Sequence, residues 1–167
     1  MNIDKALQTA NQYYRAGDLN QARTIYKKIL REKPHNIDAL HFLEMICCQL
    51  GDFDDAIRYF RREIELTPSN AEVYYKLGTV LQAKGLFSEA INHFRKAVNL
   101  KPTFPDAYYN LGLACQNAGQ HDEAILNYQN SFPSLQVQIL HLQLQDLSPF
   151  QLPLPQLRAL PRVLHHL

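Results

Sequence analysis

The sequence is poor in features that mark several common protein classes. It has no tryptophan, and its 17 basic residues are nearly balanced by 16 acidic ones. Without a basic stripe, binding to nucleic acid or to an anionic membrane is not expected. No stretch reaches the roughly 18 apolar residues that a membrane span requires. The polar start of the chain also has no apolar signal-peptide core.

Cysteine is scarce as well. The three cysteines are an odd number, and two of them, Cys47 and Cys48, are adjacent. This disfavours a disulfide framework, and a free cysteine can serve as a small buried hydrophobe. A reducing, cytoplasmic location is therefore expected.

Motifs that carry catalysis are also missing. The sequence has no glycine-rich phosphate loop, no HExxH and no paired Cys/His metal spacing. His41 and Cys48 could face one side of a helix as a thiol–imidazole pair, but nothing else in the sequence supports a nucleophile. His165 and His166 could bind a metal weakly, although a frayed tail explains them better. We therefore expect no enzyme activity, no catalytic residue, no metal site and no cofactor.

What the sequence does have is a repeat of 34 residues. Glycine, alanine, aromatic and proline positions recur at this step: Gly17, Gly51, Gly85 and Gly119; Ala22, Ala56, Ala90 and Ala124; Tyr26, Phe60, Phe94 and Tyr128; Pro34, Pro68 and Pro102. Self-similarity at a fixed period of this length indicates stacked structural units.

The copy from 71 to 104 shows what one unit should form. Its larger apolar residues first fall at steps of three and four, which predicts a helix with one buried side. Gly85 then allows a turn, and Ser88 could cap a second helix. A proline just beyond that helix cannot continue it. Each unit is therefore predicted to be a helical hairpin, with the small residues Gly78 and Ala90 where its helices cross.

This period, with an aromatic residue, Leu-Gly, Ala, an aromatic and Pro in register, resembles the tetratricopeptide repeat (TPR) over residues 3 to about 131. The resemblance implies an all-α fold, a right-handed α-solenoid of about four helical hairpins. The repeats would span 3–36, 37–70, 71–104 and a truncated 105–131.

Two repeats depart from the family pattern. In the first, the Leu-Gly pair is lost at Thr9, which suits a terminal repeat with no neighbour on one side. In the second, Glu44 and Glu63 stand where Gly and Ala are usual. The two carboxylates could form an acidic feature near a binding groove. Alternatively, and preferably, they extend to solvent or pair with Arg61 or Arg62.

From residue 132 onward the composition changes to mostly leucine, glutamine and proline. Residues 134–147 could form one more helix that caps the solenoid, although their alternating apolar residues also fit a strand. The prolines from 149 onward predict an irregular or disordered tail. Loss of the repeat register and of charge suggests that 132–167 is a frameshifted or artificially extended end of a longer repeat protein.

The resemblance also implies where a ligand would bind. In TPR proteins, ligand contacts concentrate on the first helix of each repeat, which lines a concave groove. Carried onto this sequence, the chosen groove positions are Asn11, Tyr14, Arg15, His41, Met45, Gln49, Tyr75, Thr79, Gln82, Tyr109, Leu113 and Gln116. Tyr75 and Tyr109 are expected to form a short aromatic ladder beside His41, unless they pack on neighbouring residues instead. Tyrosine, amide and thioether side chains suit an extended peptide.

Two functions remain in competition. The favoured one is a non-catalytic protein–protein interaction module that binds a peptide or protein segment of unknown identity in the groove. A chaperone C-terminal tail is not expected as the ligand, because only Asn11 matches the residues that TPR clamps use for it. The alternative is the N-terminal arm of a truncated or frameshifted larger enzyme, such as a glycosyltransferase or methyltransferase, inactive alone.

Overall fold

The computed structural model describes residues 2–132, and all regular structure in that part of the chain is helical. Eight helices follow one another: α1 (Ile3–Arg15), α2 (Leu19–Glu32), α3 (Ile37–Leu50), α4 (Phe53–Leu66), α5 (Ala71–Ala83), α6 (Phe87–Leu100), α7 (Pro105–Asn117) and α8 (His121–Ser131). Each helix packs chiefly against the helices before and after it in the chain. They form four hairpins stacked in order, which confirms the predicted helical solenoid.

A glycine turn joins the two helices of a hairpin. At Gly85 the backbone φ angle is +76°, and the next N–H, of Leu86, donates to the carbonyl of Leu81 at 2.9 Å. The carbonyl of Leu86 then accepts the first bond of α6, from Ala90, at 3.0 Å. The prediction that Ser88 caps the second helix is wrong. The backbone bonds close the turn directly after the glycine, so that α6 begins one residue before Ser88.

Asparagine caps the first helix of three repeats. The Oδ1 atoms of Asn2, Asn36 and Asn70 accept bonds from backbone N–H groups in the first turns of α1, α3 and α5, at 3.1, 2.8 and 3.1 Å. The fourth repeat begins instead with Pro105 at the start of α7, where the missing N–H of proline has no helical partner to lose. The residue at the fourth cap position, Phe104, is buried.

In the third and fourth hairpins, a glycine on the first helix faces an aromatic ring on the second. A Cβ atom added at Gly78 would lie 2.7 Å from Cε1 of Phe94. One added at Gly112 would lie 2.8 Å from Cδ1 of Tyr128. Phe94 and Ala90 are both fully buried. The helices therefore cross where the sequence places its small residues, as predicted.

The second helices of neighbouring repeats are joined by ion pairs at equivalent positions, which we call the ion-pair ladder. Its pairs are Lys27–Asp55 (3.6 Å), Arg61–Glu89 (3.3 Å) and Arg95–Glu123 (2.7 Å). The basic residue always comes from the earlier helix and the acidic one from the later helix. Partly exposed pairs each contribute little to stability, but this regular spacing is satisfied by one stacking register only.

Some predictions fall on residues outside the described part of the chain. These are the possible capping helix at 134–147, the irregular tail that follows it and the hypothesis of a frameshifted end. Among the helices of residues 2–132, none offers the unbroken apolar length that crossing a lipid bilayer demands.

Replacing Leu77 by Ala should lower the free energy of unfolding by about 2–5 kcal/mol, because this fully buried side chain would leave a cavity in the core. Urea denaturation followed by circular dichroism measures the loss. Thr79→Ala, an exposed change on the same helix, is the control and should stay within about 0.5 kcal/mol. Equal effects of the two changes would contradict the assigned core.

Replacing Gly78 by Ala should also destabilise the chain. The new methyl group would meet the buried ring of Phe94, and such overpacking costs about 1–3 kcal/mol. Alanine favours a helix over glycine by about 1 kcal/mol, so the expected net loss is up to about 2 kcal/mol. A variant that melts at a higher temperature than the native chain would show that the helices do not meet at this point.

Candidate functional site

A cleft of about 440 Å³ opens between the first helices of the second and third repeats, α3 and α5. It brings together four residues that the sequence predicted for the groove: Met45, Gln49, Tyr75 and Thr79. Their side chains share the cleft because successive first helices lie side by side in the stack. We refer to this space as the α3–α5 cleft.

Sequence reasoning missed the residues that complete the α3–α5 cleft. Phe53 and Phe60 of α4 line it, as do Val80 and Lys76 of α5. The family pattern places ligand contacts on first helices, so it gives no signal for aromatic rings that reach the cleft from a second helix. The apolar part of the lining is consequently larger than predicted.

Other predicted groove residues form hydrogen bonds within the array. Asn11 Oδ1 accepts a bond from the hydroxyl of Tyr26 at 2.5 Å. The Gln49 amide donates to the hydroxyl of Tyr14 at 3.0 Å, which links α3 to α1. Gln116 Oε1 accepts from the hydroxyl of Tyr128 at 2.8 Å.

The remaining predicted positions lie outside the α3–α5 cleft. Arg15 is exposed, and Leu113 is half-buried. Gln82 is also half-buried, and its Oε1 is a buried oxygen without a hydrogen-bond partner among the described residues. The predicted surface therefore extends beyond the α3–α5 cleft at these three residues.

Tyr75 and Tyr109 each pack against an aromatic ring on the second helix of their own repeat. The ring centroids of Tyr75 and Phe94 lie 6.0 Å apart, and those of Tyr109 and Tyr128 lie 5.7 Å apart. The hydroxyl of Tyr75 also accepts a bond from Asn110 on α7, at 3.1 Å. Tyr75 is therefore held in place by neighbours while one side faces the cleft. The ring centroids of His41 and Phe42, which are adjacent on α3, lie 6.1 Å apart.

Glu44 and Glu63 are buried, with 1% and 4% of their surface exposed. The expectation that they reach solvent or pair with Arg61 or Arg62 is therefore wrong. They occupy the positions at the crossing of α3 and α4 where the third repeat has the small residues Gly78 and Ala97, and the packing of the two helices covers them. Arg61 pairs with Glu89 instead.

The two carboxyl groups lie against each other. Burial raises the pKa of Glu44 well above its usual range, and the hydrogen bond with Glu63 and the charge of Glu63 act in the same direction. The charge of Lys76 acts in the opposite direction. His41 Nδ1 lies 3.8 Å from Oε2 of Glu44, at the partly exposed edge of this group. An acidic feature does exist at the cleft, because Glu44 is part of its lining although it is almost fully buried.

The cysteine thiols do not have the electrostatics of a nucleophile. Burial raises the pKa of the Cys48 thiol, and the charge of Glu44 adds to the shift. A catalytic thiol needs the opposite change. Cys47 and Cys115 are fully buried, as predicted, and burial raises the pKa of Cys47 to about 11.

A second depression, of about 260 Å³, lies between α2 and α4 and includes Lys27, Arg58 and Arg62 in its lining. Arg62 donates to the carbonyl of Pro34 at 2.7 Å. Lys27 and Arg58 both pair with Asp55. Its cations are thus largely committed to partners within the chain, which leaves the α3–α5 cleft as the better candidate site.

Solved structures similar to this chain include MamA proteins. "Crystal structure of MamA" is 28% identical, with a TM-score of 0.75, over 83% of this chain and 81% of that chain. "Crystal structure of MamA protein" is 26% identical, with a TM-score of 0.75, over 91% of this chain and 80% of that chain. "MamA AMB-1 P212121" shares the fold at 23% identity and a TM-score of 0.75, over 97% and 80%. Comparison with curated protein sequences gives no significant match.

Two family profiles match the chain. One, described as "TPR repeat", matches residues 46–85 and 83–119, and another, described as "Tetratricopeptide repeat", matches residues 6–36. Together they cover more than half of the sequence and lie within the helical array. Such repeats bind protein partners, which supports a role as a protein-interaction scaffold. The chain therefore belongs to the tetratricopeptide repeat family.

Proposed function

We propose that this protein is a non-catalytic interaction module that binds an extended peptide segment of a partner protein in the α3–α5 cleft. The observation that carries the proposal is the cleft itself. Side chains from two repeats converge on a space of about 440 Å³, which is the size of a small ligand pocket and accommodates one or two side chains of a peptide.

The chemistry of the lining indicates what kind of segment would bind. Met45, Phe53, Phe60 and Val80 offer apolar contact, which suits an aliphatic or aromatic anchor residue. The exposed amide of Gln49 lies at the same cleft and can bond a peptide backbone. The proposed ligand is thus a segment with an apolar anchor flanked by polar residues.

The cleft wall is held by bonds that do not involve a ligand. Asn110 orients the hydroxyl of Tyr75, and Tyr14 receives the amide of Gln49. A wall fixed by neighbouring repeats loses less conformational freedom when a peptide binds. This favours binding to a preformed surface rather than to one that folds around its ligand.

Thr79→Arg should abolish or strongly weaken peptide binding. Thr79 is exposed at the cleft, so a long charged side chain there would occupy the space without disturbing the core. Peptides selected from a phage-displayed library on the immobilised full chain supply the ligand, and fluorescence anisotropy measures their affinity. The expected loss is at least about tenfold, or about 1.4 kcal/mol.

Asn92→Arg is the matched control, because it adds the same charge at an exposed position of α6, away from the cleft lining. It should leave the affinity unchanged, and both variants should melt like the native chain. Selected peptides that bind Thr79→Arg as tightly as the native chain would place the binding surface elsewhere and contradict the proposal.

A further inference from the structure

Three side chains that commonly bind metals meet where α3 and α4 cross. His41 and Glu44 lie one helical turn apart on α3, and Glu63 comes from α4. One ligand atom from each lies within 4.8 Å of the other two. Two ligands of a four-coordinate zinc ion are about 3.4 Å apart. The 3.8 Å between His41 Nδ1 and Glu44 Oε2 is therefore within a small side-chain rotation of that geometry.

Two oxygens of this cluster lack the partner that burial requires. Glu44 Oε1 and Glu63 Oε2 are buried, and no hydrogen-bond partner reaches either of them from residues 2–132. A buried carboxyl oxygen without a partner is costly, and two carboxyl groups side by side cannot both ionise without repulsion. A cation bound between the two groups would offset that repulsion and offer a partner to an oxygen of each.

The basic side chains around the cluster do not supply that cation. Arg61 pairs with Glu89, and Arg62 donates to the carbonyl of Pro34. Lys76 approaches from α5 and its charge acts on Glu44, but neither unpaired oxygen receives a hydrogen bond from it.

We propose that His41, Glu44 and Glu63 bind a divalent transition-metal ion of the zinc type, which joins α3 to α4 beside the α3–α5 cleft. An imidazole nitrogen with two carboxylates suits Zn²⁺ and related ions, whereas Mg²⁺ and Ca²⁺ prefer oxygen ligands alone. The His41 side chain is 38% exposed, so an ion can reach the buried carboxylates from that side. Three protein ligands leave one position of a four-coordinate ion for water.

The test is titration of the metal-stripped full chain with ZnCl2, by isothermal titration calorimetry and by metal analysis after equilibrium dialysis. The native chain should bind one Zn²⁺ at this site, and its melting temperature should rise with Zn²⁺ but not with Mg²⁺. His41→Asn should weaken binding by at least about tenfold, since even loss of residues that only support a ligand costs that much. This side chain is partly exposed, so the variant should fold normally.

A second variant removes both carboxyl groups and replaces them with residues that another repeat of this chain already has at the same positions. Glu44→Gly with Glu63→Ala places at these positions the residues that the third repeat has at Gly78 and Ala97, and it should lose the Zn²⁺ site while keeping its helicity. His165→Asn with His166→Asn, and separately Cys48→Ser, are the controls and should bind Zn²⁺ like the native chain.

Retention of the native Zn²⁺ affinity by the Glu44→Gly, Glu63→Ala variant would overturn the proposal. So would loss of binding on removal of His165 and His166, which would assign the ion to the end of the chain. A native chain that binds no Zn²⁺ would overturn it as well, and would indicate that the two carboxyl groups share a proton instead. None of these measurements requires a peptide, so they are independent of the binding proposed for the cleft.

Discussion

The contact between a small residue on the first helix and an aromatic ring on the second sets the geometry of a hairpin. At Gly78 the ring of Phe94 comes so close that even one additional carbon atom would collide with it, and Gly112 meets Tyr128 in the same way. Because the backbones approach this closely, the apolar sides of both helices are left facing the next hairpin. They are buried only when another hairpin covers them. The stacked array and the row of first helices follow from this crossing.

The second repeat does not have this contact between a small residue and an aromatic ring, because a large residue takes the small residue's position. Glu44 stands where the third repeat has Gly78, and it carries the carbon atom that Gly78 lacks. Phe60 therefore faces a larger residue on α3 than Phe94 faces on α5. Both Glu44 and Phe60 line the α3–α5 cleft. Two changes from the repeat pattern, Glu44 and Glu63, thus accompany the features of functional interest, the cleft and the buried carboxyl pair. His41 lies at one end of this pair and is partly exposed to solvent.

Much of the fold could be predicted from the sequence because periodicity reports directly on which residues face a neighbour. The four hairpins, the crossing at Gly78 and the burial of Cys47 depend on repeat position alone. That α6 begins before Ser88 could not be predicted, because the first residue of this helix is set by backbone hydrogen bonds that follow Gly85. Burial of Glu63 was missed for a different reason: residue type argues for exposure, and only the crossing of two helices removes the path to water. The cluster of His41, Glu44 and Glu63 combines residues of two helices, so no spacing within the sequence signals it.

The ion-pair ladder has a further consequence at its two ends. One repeat before Asp55 the equivalent position holds Gln21, and one repeat after Arg95 it holds Gln129, both exposed neutral amides. Between each two neighbouring repeats of the array, a cation pairs with an anion at this position. Another hairpin that packed on the first or the fourth repeat would meet the uncharged side chain of Gln21 or Gln129 there. The match of cation with anion is thus confined to the three junctions between the four described repeats. End-to-end joining of two such arrays through the same surfaces would have to proceed without it.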